Sequence, residues 1–405
     1  LPADALGPPP GVFRGSLGIA NHSPASVLES AVSLDVVRSL LMPYVDRAGP
    51  AVIRRGQELI VGGRGLLPGV GSTSMMLRLE GALSSGAGHQ EWAGASALEL
   101  APYALDGNFE ARHVVRLAAG GPPGLGAFTG DFEGRVTPLL LTPGGRVEGL
   151  GTSLRFRLAL PRQVVRLRFL IGFSDTLRTL GLAKRESDVR ARILAVCRRG
   201  FAGLNVEVLT ETPRDYVDYS VVEIGGEDPN GLDLFGLDIS EGKDTGNLRL
   251  DDDLGGSASD PSVPGRVHYG GVFTASFLTL SPTLPGISSV IATSRFDEAF
   301  GPFLEGLGGT PVGPDEGPDR QALADEAVRA FGTLVGTTVV HELGHTLGLT
   351  NIEGQFHHLG DNPAWIMDSG RYRPFEERAE LDGEGPETWS PGDHEYLLQV
   401  LRPDP

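Results

Sequence analysis

The stretch Thr337-Thr338-Val339-Val340-His341-Glu342-Leu343-Gly344-His345-Thr346-Leu347-Gly348-Leu349-Thr350-Asn351 decides how the rest of the chain is read. Two histidines stand four residues apart, with a glutamate beside the first. On a helix, His341 and His345 lie one turn apart on one face, so both imidazoles can reach the same ion. Glu342 projects about 100° around the helix from His341. That direction suits a group that takes a proton from a water at the ion, not one that ligates the ion itself. Val340, Leu343 and Leu347 form an apolar stripe that predicts burial. Gly348 stands three residues beyond His345, where a left-handed residue can end the helix.

His341-Glu-Leu-Gly-His-Thr-Leu-Gly-Leu-Thr-Asn351 resembles the zinc helix of the metzincin metalloproteases, whose pattern is H-E-x-x-H-x-x-G-x-x-H. Further on, Trp365-Ile366-Met367-Asp368 resembles the Met-turn that supports the zinc site in that clan. The resemblance reaches upstream as well and covers residues 163–405. It implies a zinc-dependent endopeptidase acting on a protein or peptide substrate. In it His341 and His345 are zinc ligands, Glu342 is the general base and Met367 is a structural support that does not coordinate.

The chain departs from the pattern at the third ligand, because Asn351 stands where the family has histidine. A neutral amide oxygen is a weak zinc donor beside imidazole or carboxylate. Three arrangements stay open. His357 or His358, in Gly354-Gln-Phe-His-His-Leu-Gly-Asp361, supplies the ligand from a rearranged loop; Asn351 ligates with the help of water; or the site is degenerate. The first is the leading expectation, with His357 ahead of His358.

Composition narrows the rest. At 405 residues the chain is long for one domain. Its 58 glycines and 30 prolines point to a turn-rich, β-rich architecture and not to a helical bundle. A formal charge of −18 argues against nucleic acid and anionic membrane surfaces as partners. No apolar run is long enough to span a bilayer. The single cysteine, Cys197, falls on the apolar stripe Val189, Ile193, Val196 and reads as a core thiol. The Pro-rich opening from Leu1 looks like a linker left after a signal segment or anchor is removed, which suggests a secreted or cell-surface bacterial protein.

In chain order, residues 1–47 read as an N-terminal extension, with Pro24 to Arg47 able to form one helix or two short pieces. Residues 48–162 carry seven short strand-like runs separated by turn signals, the pattern of an antiparallel sandwich. Ile53 to Pro68 resembles the opening of immunoglobulin-like modules. His22, His89 and His113 have no paired ligands in sequence.

Residues 163–405 open with a strand at Val164–Ile171 and a helix from Glu186 to Arg199, capped by Ser187. Strands follow near Val206 and at Tyr219–Gly225. Glu227 to Asp260 is acidic, and Asp251, Asp252 and Asp253 make Ca2+ a secondary candidate beside Zn2+. Gly271–Leu280 alternates like a strand. The resemblance makes it the edge that pairs with extended substrate. Asp319 is expected to cap the long helix through Leu349, and Ser390 to cap a last helix with Pro391 at its first turn.

The expected fold class is therefore α+β: a metzincin-like domain with a mixed twisted sheet, zinc helix and Met-turn, behind an N-terminal all-β sandwich. The expected function is metal-assisted peptide hydrolysis. The alternative is a catalytically inactive surface or adhesion protein that retains the metzincin scaffold. Oligomeric state is not readable from the sequence.

Overall fold

The computed structural model describes residues 11–23, 26–38, 42–66, 74–86, 88–117, 124–142, 145–239, 252–259, 267–284, 291–349, 357–358, 364–370 and 373–404. It is a mixed α+β protein with several sheets. The chain divides into two compact units, Leu1–Ala159 and Leu160–Pro405. Among the described residues no helix is long and apolar enough to cross a membrane.

In the first unit, Gly11–Ser23 and Ser26–Arg38 form an antiparallel two-stranded ribbon. This corrects the helical expectation for Pro24 to Arg47. The β-branched residues Val27, Val32, Val36 and Val37 favour an extended chain. Tyr44–Gly49 is also a strand, and it joins a four-stranded sheet with Glu58–Arg64, Glu110–Val114 and Ala104–Asp106. A seven-stranded sheet is built around Gly130–Thr142, with Ser74–Ser85 on one side and Thr152–Leu158 on the other. Burial along Thr152–Leu158 has a period of two: Leu154, Phe156 and Leu158 are inside while Ser153, Arg155 and Arg157 are exposed. Side chains of both sheets, among them Val45, Leu59, Val61, Leu77, Leu79 and Phe156, meet in one core.

The second unit begins with β1 (Gln163–Phe169), α1 (Ile171–Thr179), α2 (Glu186–Gly200), β2 (Val206–Leu209) and β3 (Ser220–Ile224). β4 (Gly236–Leu237), β5 (Asp253–Leu254) and β6 (Gly271–Val272) complete its sheet. α3 (Ser294–Phe300), α4 (Pro318–Thr346), α5 (Phe375–Ala379) and α6 (Pro391–Val400) follow. The sheet order is β2-β1-β3-β6-β4, with β5 paired to β3. β1, β2, β3 and β6 run parallel, which requires helical or looped crossovers. β4 pairs antiparallel with β6 and is one edge, with β2 at the other.

Several expectations need correction here. Gly271–Leu280 is not one strand: after β6 the chain turns into a 3-10 helix, Thr274–Leu280. Its hydroxyls are used inside, with the Thr274 and Thr176 Oγ1 atoms 2.9 Å apart. The edge position therefore belongs to β4. α1 starts at Ile171, where a continuing strand was expected. α2 has Arg185 at its N-cap in place of Ser187, and α4 has Gly317 with Pro318 in the first turn in place of Asp319. Ser390 does cap α6, accepting the Asp393 N–H.

α4 has 29 residues and is about 44 Å long. From Ala330 to Val340 every residue is buried, so its second half runs through the centre of the core. Val340, Leu343 and Leu347 are all within it. Each such side chain contributes about 1.5–3 kcal/mol by leaving water. Cys197 of α2 is fully buried, and its Sγ lies 3.7 Å from the Gly336 carbonyl of α4. Burial pushes the thiol up to about 12, as expected for a core residue.

Candidate metal centre

α4 ends in a turn that its sequence anticipates. Gly348 has φ +83°, its N–H donates to the His345 carbonyl at 2.9 Å, and the Leu349 N–H donates to the Gly344 carbonyl at 3.0 Å. This paired bonding with a left-handed glycine satisfies two carbonyls that a helix end leaves open. Tyr396 of α6 donates its hydroxyl to the Leu347 carbonyl at 2.8 Å.

Three imidazoles converge beside that turn. The ring centroids of His341, His345 and His357 are 5.0 Å, 5.1 Å and 5.1 Å apart pairwise. One ligand atom from each can be chosen so that all lie within 4.8 Å of one another. His345 is buried; His341 and His357 are partly exposed, which leaves an approach to the group. The His341 and His357 Nε2 atoms are 3.2 Å apart. Two nitrogens on one tetrahedral ion, each about 2.0–2.1 Å from it, stand about 3.3 Å apart. The spacing fits.

The tautomer of His341 follows from its partner. Its Nδ1 lies 2.5 Å from the Ile366 carbonyl oxygen, which can only accept, so Nδ1 carries the proton and the Nε2 lone pair faces the other two rings. Burial first, then the neighbouring His345 and His357, holds His341 well below the ordinary histidine range. It is therefore neutral at neutral pH, as a ligand must be.

His358 does not join the group. Its Nε2 donates to Asp393 at 2.9 Å, and its ring meets Trp365 edge-on. Asn351 lies outside the described residues, as does Asp251. Asp253 spends a carboxylate oxygen on the Val221 N–H at 3.2 Å. In the first unit His89 is exposed beside Ser84, and His113 Nδ1 bonds the Ala101 carbonyl. His394 is on the surface of α6.

Met367 is buried against α4. A Cβ at Gly344 would lie 2.4 Å from the Met367 sulfur, so only glycine lets the turn come this close. The turn is tied on its other side too: the Ile366 N–H donates to Thr388, Thr388 to Ala364, and Ala364 to the Glu377 carboxylate. Glu377 in turn pairs with Arg373, which also holds the buried Glu387.

Glu342 is 6% exposed, and the edge strand fits closely around it. A Cβ on Gly236 of β4 would stand 2.5 Å from its Oε1 and 2.9 Å from its Cδ. Phe235, just before that strand, lies under the Arg378 guanidinium at 5.0 Å. Nothing in Phe235-Gly236-Leu237 marks this role in the sequence, because the run is too short for a periodicity.

Neither a protein-family model nor a curated protein matches the chain. Among solved structures, one of Pseudomonas fluorescens alkylpurine DNA glycosylase AlkC bound to DNA containing an abasic site analog matches at 18% identity. The match spans 29% of this chain and 29% of that one, with a TM-score of 0.12. A likeness that slight carries no argument about fold or function.

Proposed function

We propose that the chain is a zinc-dependent endopeptidase of the metzincin kind, carrying an immunoglobulin-like sandwich in its first unit. The observation that carries the reading is the convergence of His341, His345 and His357 next to Glu342. Three imidazoles make a nitrogen donor set suited to zinc, which would keep room for water or substrate. When bound, zinc supplies Lewis-acid polarisation of a peptide carbonyl and acidifies a water. His341 orients its Nε2 through the Ile366 carbonyl, and Met367 packs beneath the helix to hold the rings still. Glu342 takes the proton of the attacking water and returns it to the leaving amine nitrogen. The antiparallel edge β4 offers main-chain groups to an extended peptide, a mode that reads backbone more than side chains. Ca2+ has no comparable donor group among the described residues.

The test is Glu342→Gln. Peptide hydrolysis is expected to disappear while zinc stoichiometry stays near that of the unaltered protein. Unchanged turnover would sink the mechanism. Absence of bound zinc in the unaltered protein after dialysis would favour the non-catalytic scaffold.

A further inference from the structure

His357 and His358 are adjacent, yet they are held by different parts of the fold. His358 Nε2 donates to Asp393 Oδ2 at 2.9 Å, and the same oxygen accepts the Ser390 hydroxyl at 2.8 Å. The Asp393 N–H donates back to Ser390 Oγ at 3.2 Å, which fixes the carboxylate on the first turn of α6. Asp393 is 6% exposed. The His358 N–H donates to the Met367 carbonyl at 3.0 Å, and its ring sits 5.1 Å from that of Trp365. The residue after His357 is thus held through its side chain, its backbone and its ring face.

This matters because His357 comes from a different stretch of chain than the helix ligands. A ligand on a long connection loses conformational freedom when it binds an ion, and the loss weakens binding. Pinning the next residue in advance removes most of that loss. We propose that His358 and Asp393 are positioning residues that preset His357 for the metal, with α6 as their anchor. The inference rests on the zinc reading above and adds to it the device that holds the third ligand.

The experiment measures zinc affinity by competition with a chromophoric chelator, on the full chain, for the unaltered protein and for His357→Ala, His358→Ala, Asp393→Ala, Ser390→Ala and the His358/Asp393 double variant. His358→Ala and Asp393→Ala are each expected to weaken zinc binding about 10-fold or more. The double variant should be little worse than the poorer single one, since both remove one linkage. Ser390→Ala loses the helix cap but keeps the His358–Asp393 bond, so its affinity should fall less than theirs. Asp393→Asn, which preserves shape, serves if Asp393→Ala melts early in the metal-free state, and is expected to weaken zinc binding while melting normally.

Wild-type affinity in both single variants, or losses that multiply in the double, overturns the proposal. If His357→Ala loses zinc while His358→Ala and Asp393→Ala do not, only the positioning role falls. If the unaltered protein binds no zinc, the metal reading falls and this one with it.

Discussion

The two units bury different kinds of residue. Among the described residues of the first unit, Thr137 is the only polar side chain in the buried set. The second unit buries Asp218, Asp238, Asp252, Glu342, His345, Asp368, Arg373, Glu377, Arg378, Glu387 and Asp393 besides two amides and several hydroxyls. An apolar core needs only shape and patterning to be stable. Buried charge is expensive to desolvate and persists only where partners are fixed around it. Several of those partners, Arg373, Glu377 and Glu387 among them, gather around the turn at Met367.

That contrast can be broken most directly at Arg373, 4% exposed between Glu377 and Glu387. Arg373→Ala leaves two buried carboxylates short of their partner and is expected to cost about 3–5 kcal/mol. Chemical denaturation reads the change, and a loss under 1 kcal/mol would mean these charges are no better fixed than a surface pair.

Gly236→Ala is the next step down. The added methyl has no space beside Glu342, so the carboxylate must move, and turnover should fall about 100-fold with zinc content and melting temperature nearly unchanged. Turnover at the original level would show that the edge strand yields instead.

A smaller effect is expected at Cys197, whose thiol is held protonated. Alkylation in the native state should be negligible and should follow global unfolding. Because its folded value is raised above the usual 9.0 to about 12, its share of stability is complete below pH 9 and is lost as pH climbs toward 12. Rapid labelling at neutral pH would contradict the packing described. The least effect belongs to the first unit: His89→Gln and His113→Gln should leave zinc stoichiometry as it was. A fall would put a second metal ligand set where none is proposed.

Long periodic elements were readable from the residues. α2, the second half of α4, its glycine terminus and the Ser390–Pro391 start of α6 all carry local signals strong enough to survive tertiary context. The strand Ser26–Arg38 reads as helix in sequence because its valines recur at spacings that suit either period. Gly271–Leu280 alternates like a strand, yet its hydroxyls turn inward, and a short 3-10 segment has no signature that separates it from one.

The convergence at the candidate centre was half legible. His341, Glu342 and His345 share one turn, so their mutual geometry is a property of the helix. His357 could be ranked above His358 only because two histidines on a helix leave a third donor to be found. That His358 turns to Asp393 depends on where α6 lands, and no local pattern encodes that. Gly236 was invisible for the same reason: the need for it arises from a neighbour more than 100 residues away.

The contact of Gly344 with Met367 has a consequence for oxidative damage. The four methionines differ widely in access, from Met42 at 55% exposed to Met367 at 2%. Met367 is almost inaccessible to solvent, and Gly344 of the helix packs against its sulfur, which leaves little room for a sulfoxide oxygen. Peroxide can therefore consume the exposed thioethers while the one packed against α4 stays reduced, so that the surface of the molecule ages before its centre does.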